Sequence, residues 1–322
     1  MSSVTETTLY RFIQAINLLS LSLVLTPYTL KNFLGIHVIY STKYDYFYSL
    51  SQFVPRPIQK LFYPDPIAVQ TISINDTKSL FFPGVAMECF IGTMQGLIVG
   101  TDLWRRGRKG RMRTPRIHAV CFYGYTVMCI SAFPLHCLKD YSLFDISSKS
   151  SLTQTLFWLD TFGTSLSPPL MFLAGLIENR SDLVPESQRD RWVWSIVIMN
   201  AILTYLGIAY DWPWITMYLH IASQTVFCFP LLFLTWKAVQ KYHCRHGFYT
   251  YMVLAKVCSF VFAYNGMLFL AALLSRISGG AFCPLTSAFV GCRIGMMQYW
   301  VYCRKESECV CFSTSKVEKK TA

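Results

Sequence analysis

Charge is what this chain lacks: only 14% of its 322 residues are charged, with 17 acidic side chains against 29 basic ones. A soluble domain of this length covers itself in charge, whereas here 53% of the residues are hydrophobic and gather in blocks. That pattern reads as a polytopic helical membrane protein. The chain holds 12 cysteines but no CxxC pair, which argues against a zinc site and against a secreted disulfide framework. Most of these thiols are expected to be small buried apolar groups. The chain also lacks GxSxG, P-loop, GxGxxG and HExxH patterns and the histidine box of lipid desaturases. Ordinary hydrolase, nucleotide-driven and di-iron chemistry is therefore disfavoured; no cofactor or metal is expected, and no residue is assigned a catalytic role. Residues 1–9 carry no basic group and the first apolar run lacks a small-residue cleavage pattern, so that run is expected to be a retained span.

What is present is a series of apolar runs long enough for roughly 30 Å of hydrocarbon. Eight spans are expected, at about 10–33, 83–103, 117–136, 152–176, 192–210, 213–236, 249–274 and 281–303. The fold expected is all-α, a polytopic transmembrane bundle with both termini cytosolic. The fifth and sixth spans meet at Asp211, Trp212 and Pro213, as a tight hairpin or as one long broken helix. Two four-span bundles follow, over 10–178 with a lumenal loop at 36–82 and over 190–303, before a cytosolic tail at 304–322.

Orientation comes from the loops. Seven basic residues lie between Arg105 and Arg116, and Lys237, Lys241, Arg245, Arg304 and Lys305 fall on the same side by span count. Short basic loops mark the cytosolic face. The formal charge of +12 is thus spent beside membranes and not on nucleic acid, which is not expected as a partner. Asn75-Asp76-Thr77 is then a glycosylation sequon on the lumenal side, and Asn179-Arg180-Ser181 one on the cytosolic side. Cys137 and Cys283 both fall at lumenal span ends, within reach of pairing. Lys319 and Lys320 stand four and three residues from the end of a cytosolic tail. They resemble a dilysine signal for retrieval to the endoplasmic reticulum by coat-protein machinery, an address and not an anchor.

Four charges fall inside the spans: Glu88, Asp160, Lys256 and Arg293. Glu88 is the only charge from Pro83 to Thr101. A carboxylate there costs a few kcal/mol unless compensated, so it is a functional-site candidate by default. At about 1.5 Å per residue, Glu88 lies roughly 8 Å, Asp160 about 12 Å and Arg293 about 18 Å from the lumenal ends of their spans. Lys256 is near enough to the cytosolic end to snorkel. Asp160 and Arg293 form either a structural ion pair or, with Glu88, the wall of a polar pocket suited to an amine or hydroxyl. His118 is expected at the interface beside the basic loop, while His136 and His220 serve as interhelical hydrogen bonders or as proton donors to a lipid. Asn200 and Asn265 are expected to join helices. Pro168-Pro169 is expected to kink the fourth span below Asp160, a feature tolerated beside cavities.

The order of Asp65-Pro66, Glu88-Cys89, the basic loop, Arg113-Thr114-Pro115 and the stretch from Phe162 to Pro169 resembles the EXPERA superfamily over residues 10–178. That group includes the sigma-2 receptor, which the first half resembles most, the emopamil-binding protein and transmembrane 6 superfamily proteins. The resemblance implies a four-helix bundle of the endoplasmic reticulum with a cavity for sterols or cationic amphiphiles. It implies Glu88 as a ligand-contacting carboxylate and Asp65 as an acid near the pocket mouth. Thr29 stands where the family has a further acid, and Gly84 stands where a sterol isomerase has a histidine four residues before its acid. The ligand-binding set expected is Glu88, Asp65, Asp160 and Arg293. The function expected is binding of a sterol or related amphiphile in a multi-pass endoplasmic reticulum protein, against a lipid-modifying enzyme or a lipid transporter.

Two sequons on opposite sides make the topology testable. Asn75→Gln is expected to abolish the endoglycosidase-sensitive mobility shift of the full chain, and Asn179→Gln to leave it unchanged.

Overall fold

The computed structural model describes residues 15, 37–41, 67–75, 78–107, 114–140, 151–179 and 182–210. Helix dominates these residues. The elements are β1 (His37–Ser41), β2 (Ile67–Ser73), β3 (Lys78–Phe81), α1 (Pro83–Arg106), α2 (Thr114–Cys137), β4 (Leu138–Asp140), α3 (Ser151–Asn179) and, after a short 3-10 turn at Glu186–Gln188, α4 (Arg189–Ala209). The four helices occupy the positions expected for the second to fifth spans. The sixth to eighth spans, and all of the first but Ala15, lie outside the described residues.

Among the described residues three helices are long and apolar enough to cross a membrane: Pro83–Arg105, Thr114–Cys137 and Glu186–Ala209. The chain is a membrane protein on that ground. Helix α3 has 29 residues, about 43 Å of rise. It is not among the three because Thr161, Gly163, Thr164, Ser165, Ser167, Pro168 and Pro169 dilute its hydropathy. It runs on through both prolines as one helix.

The described residues group into two compact units. One holds those up to Gln95 and from Cys129 to Asp160; the other holds residues 96–128 and 161–210.

The first unit contains a four-stranded antiparallel sheet in the order β1-β2-β3-β4. This corrects the all-α expectation. The strands, HVIYS, IAVQTIS, KSLF and LKD, are three to seven residues long, and the first two are rich in β-branched and aromatic side chains. Reading for blocks of span length passes over such short elements. The pairing of Leu80 with Leu138 brings the start of α1 and the end of α2 to the same sheet. At that corner Phe82 takes a left-handed backbone, φ 47°, a conformation costly for a bulky side chain. Its ring is buried, its N–H donates to the Gln70 carbonyl at 3.0 Å, and its own carbonyl accepts from Val85 and Ala86. Pro83 then opens α1, where its missing N–H costs nothing.

In the second unit the helices approach closely wherever a glycine removes the side chain. A methyl group at Gly96 would run into the Thr126 hydroxyl, and one at Gly100 into the Tyr123 ring. Tyr123 hydroxyl meets Thr101 Oγ1 at 3.5 Å along the same seam. The spacing of Gly96 and Gly100 is the small-residue pattern that lets membrane helices pack backbone to backbone. Helices α2 and α3 cross at Gly124 and Gly163. A Cβ at Gly163 would lie 2.5 Å from the Gly124 carbonyl oxygen and 2.7 Å from the Met128 nitrogen. The guanidinium of Arg116 stacks over Trp104 at 5.3 Å and joins the ends of α1 and α2 that flank the basic loop.

Helix α4 buries one stripe, Val193, Asn200, Thr204 and Gly207, and exposes Trp192, Trp194, Ile198, Ile202 and Tyr205. Exposed apolar side chains on a span are the mark of a lipid-facing surface, with tryptophans suited to its edge.

Because the neighbours of Gly163 are backbone atoms, they cannot swing aside. Gly163→Ala is expected to cost about 1–3 kcal/mol, the usual range for overpacking. A clear fall in the melting temperature of the detergent-solubilised chain, larger than that of Gly96→Ala, is the outcome to check.

Candidate functional site

An acid in a membrane span needs enclosure and partners, and α1 and α3 each bury one. Glu88 lies five residues into α1 and is 2% exposed; Asp160 lies nine residues into α3 and is 4% exposed. At about 1.5 Å per residue these depths are roughly 8 and 14 Å from the helix starts. Both acids belong to the unit that carries the sheet, and so does His136, one residue before the end of α2. The geometry that brings two of them together is direct: His136 Nε2 stands 3.8 Å from Asp160 Oδ2.

That separation is too long for a hydrogen bond and short enough for an ion pair when the imidazole is protonated. A hydroxyl at about 2.8 Å from each atom would bridge them. His136 is half-buried while Asp160 is enclosed, so the pair has a more accessible side at the imidazole. Donor and acceptor therefore face one another inside a span, with the acceptor already out of water.

Of the expected ligand-binding set, Glu88 and Asp160 are thus buried in one unit. Asp65 and Arg293 lie outside the described residues, as do Thr29, His220, Lys256, Asn265, Cys283, Lys319 and Lys320. Among the described residues Asp160 faces His136. Asn75 is exposed in the turn between β2 and β3, the kind of position a glycan requires. His118 is buried at 1% exposure, on a face of α2 with Ile117, Cys121 and Phe122, all buried. Among the described residues no cluster of three or more histidine, cysteine, aspartate or glutamate side chains has metal-binding geometry.

Asn200 does join helices. Its Nδ2 donates to the Ser165 hydroxyl at 2.9 Å and to the Phe162 carbonyl at 3.2 Å, linking α4 to α3. Ser165 in turn donates to the Thr161 carbonyl at 2.7 Å, and Thr204 donates to the Asn200 carbonyl at 2.7 Å. The sequence reading singled out Asn200 and passed over Ser165 and Thr161. The available signal was the hydroxyl-rich run from Thr161 to Ser167, too polar for a lipid-facing span and so bound to turn inward.

No protein-family model matches this chain, and neither the curated proteins nor the solved structures contain a match.

The coupling between His136 and Asp160 is measurable in a double-mutant cycle. His136→Ala, Asp160→Asn and the double variant are expected to give an interaction energy of about 0.5–3 kcal/mol in thermal or denaturant unfolding, as for groups in contact. Additive effects would mean the two side chains act separately.

Proposed function

We propose that this chain is a multi-pass membrane protein of the endoplasmic reticulum that binds a sterol or related amphiphile, with Glu88 and Asp160 orienting the ligand's polar end. One observation carries the reading: Asp160, enclosed within α3, stands 3.8 Å from His136, a gap suited to a bridging hydroxyl or amine. A lipid's apolar body is held by burial among helices, while one or two hydrogen bonds select its head. Glu88 supports the reading as a second acid enclosed in the same unit. The resemblance of residues 10–178 to the EXPERA superfamily supports it as well, and the lysines Lys319 and Lys320 support the compartment and retrieval by coat proteins. In this reading Asp65 lies near the pocket mouth, Arg293 adds a cationic partner, Asn75 carries a glycan and the eight spans place both termini in the cytosol.

The same pair favours a second reading, a lipid-modifying enzyme in which His136 and Asp160 shuttle a proton. Lipid profiling of a knockout separates the two: one accumulating precursor with one missing product marks the enzyme, and neither marks the binding protein.

For the binding reading, a photoreactive sterol is expected to label the full chain in nanodiscs. Glu88→Ala and Asp160→Asn are each expected to weaken labelling of α1 and α2 by about tenfold, the loss of one good hydrogen bond. Equal labelling of wild type and both variants would remove these carboxylates from the site.

A further inference from the structure

The corner between α1 and α2 gathers charge of one sign. From Asp102 to Arg116 seven basic residues stand against the single acid Asp102, whereas residues 180–191, between α3 and α4, hold three of each sign. Both stretches lie on one face of the membrane: Cys121 of α2 meets Ser167 of α3, and Gly124 and Met128 meet Gly163, so the two helices are antiparallel and the start of α2 is on the side of the end of α3. Orientation by loop charge counts bases over a whole face and is indifferent to which connection carries them. Their concentration at one corner is a separate feature.

At that corner one arginine is held in place. Gly107 is buried and continues the last turn of α1, its N–H donating to the Leu103 carbonyl at 3.2 Å. The stem of Arg116, in the first turn of α2, crosses it so closely that a Cβ at Gly107 would collide with Arg116 Cγ. The guanidinium is carried over the Trp104 ring at 5.3 Å. An arginine fixed along its stem and over an aromatic ring has given up much of its rotamer freedom before a ligand arrives, and its planar fork of N–H donors matches the oxygens of a phosphate. The 24 residues of α1 rise about 36 Å, more than the roughly 30 Å of hydrocarbon, so Trp104 and the residues after it reach the level of lipid phosphates.

We propose that Trp104, Gly107 and Arg116 form a binding site for the headgroup of an anionic phospholipid. Arg116 donates to the phosphate, and the bases around it balance the lipid's net charge; clusters of four to eight lysines and arginines at a span end attract such lipids. A lipid with a choline headgroup offers the same phosphate but brings a cation into a corner already rich in them. The site makes no use of Glu88, Asp160 or His136.

The test is native mass spectrometry of the full chain in detergent, titrated with phosphatidylglycerol, whose phosphate is its only charge, and with phosphatidylcholine of the same acyl chains. Wild type is expected to bind the glycerol lipid more tightly, and Arg116→Gln to weaken that binding by about tenfold, the loss of a hydrogen bond to a charged group. Gly107→Ala keeps every charge and displaces the Arg116 stem, and Trp104→Leu removes the ring beneath the guanidinium. Each is expected to weaken binding by about fivefold, the gain from holding one long side chain in advance. Either variant decides the point if the other fails to fold. Arg191→Gln removes a base from the same membrane face and is expected to change binding by no more than about twofold, as for a screened surface charge. Equal binding of the two lipids by wild type overturns the site. So does binding that is unchanged in Gly107→Ala and Trp104→Leu while Arg116→Gln and Arg191→Gln weaken it alike, the mark of diffuse charge. Displacement of the lipid by an equal concentration of inorganic phosphate would assign the corner to a free anion and overturn the lipid.

Discussion

Backbone contact between α2 and α3 at Gly124 and Gly163 is the constraint on which the second unit depends. Lipid offers no hydrophobic drive for helices to associate, so association rests on close packing and on hydrogen bonds between spans. A crossing without side chains brings the carbonyl of one glycine against the Cα of the other, and the polar residues that flank the crossing are thereby turned inward. Ser165, two residues beyond Gly163, is enclosed there and takes the hydrogen bond of Asn200 from α4. The same logic operates at Gly96 and Gly100, where α1 is admitted to the face of α2 that carries Thr126 and Tyr123.

Buried polarity is what distinguishes α3 from its neighbours. It encloses Thr153, Asp160, Thr161, Ser165 and Ser167, more than a helix facing lipid can carry. Each of these groups needs a partner or costs free energy, and for two of them another helix supplies one: His136 of α2 for Asp160 and Asn200 of α4 for Ser165. Helix α4 is the opposite case. Its one buried stripe includes Asn200 and Thr204, and beyond the charged first turn its exposed surface is mostly apolar. The two helices show how position in a bundle, and not hydropathy alone, sets which residues a span tolerates.

Much of the helical layout was legible in the sequence. Apolar runs of span length located α1, α2, α3 and α4 to within a few residues, because membrane thickness fixes the length of such runs. The acids Glu88 and Asp160 were legible for a related reason: a charge in an apolar run stands out and is kept only if something compensates it. The sheet was not legible, since β1 and β4 are five and three residues long and acquire stability only by pairing with β2 and β3 across gaps in sequence. The burial of His118 was not legible either, because proximity to the basic loop says nothing about which side of α2 faces its neighbours.

By itself the sequence determined that this chain lives in a membrane, where its helices run and which charges must be enclosed, because the cost of exposing polar groups to hydrocarbon is large and local. Only the tertiary structure decided that Asp160 looks at His136, that Ser165 takes the Asn200 amide and that Thr161 is left with an unused hydroxyl. Those pairings depend on the rotation of each helix about its axis and on the depth at which two spans cross. Both are set by contacts between residues tens of positions apart, above all by glycines whose effect is the absence of a side chain, and no local pattern records them.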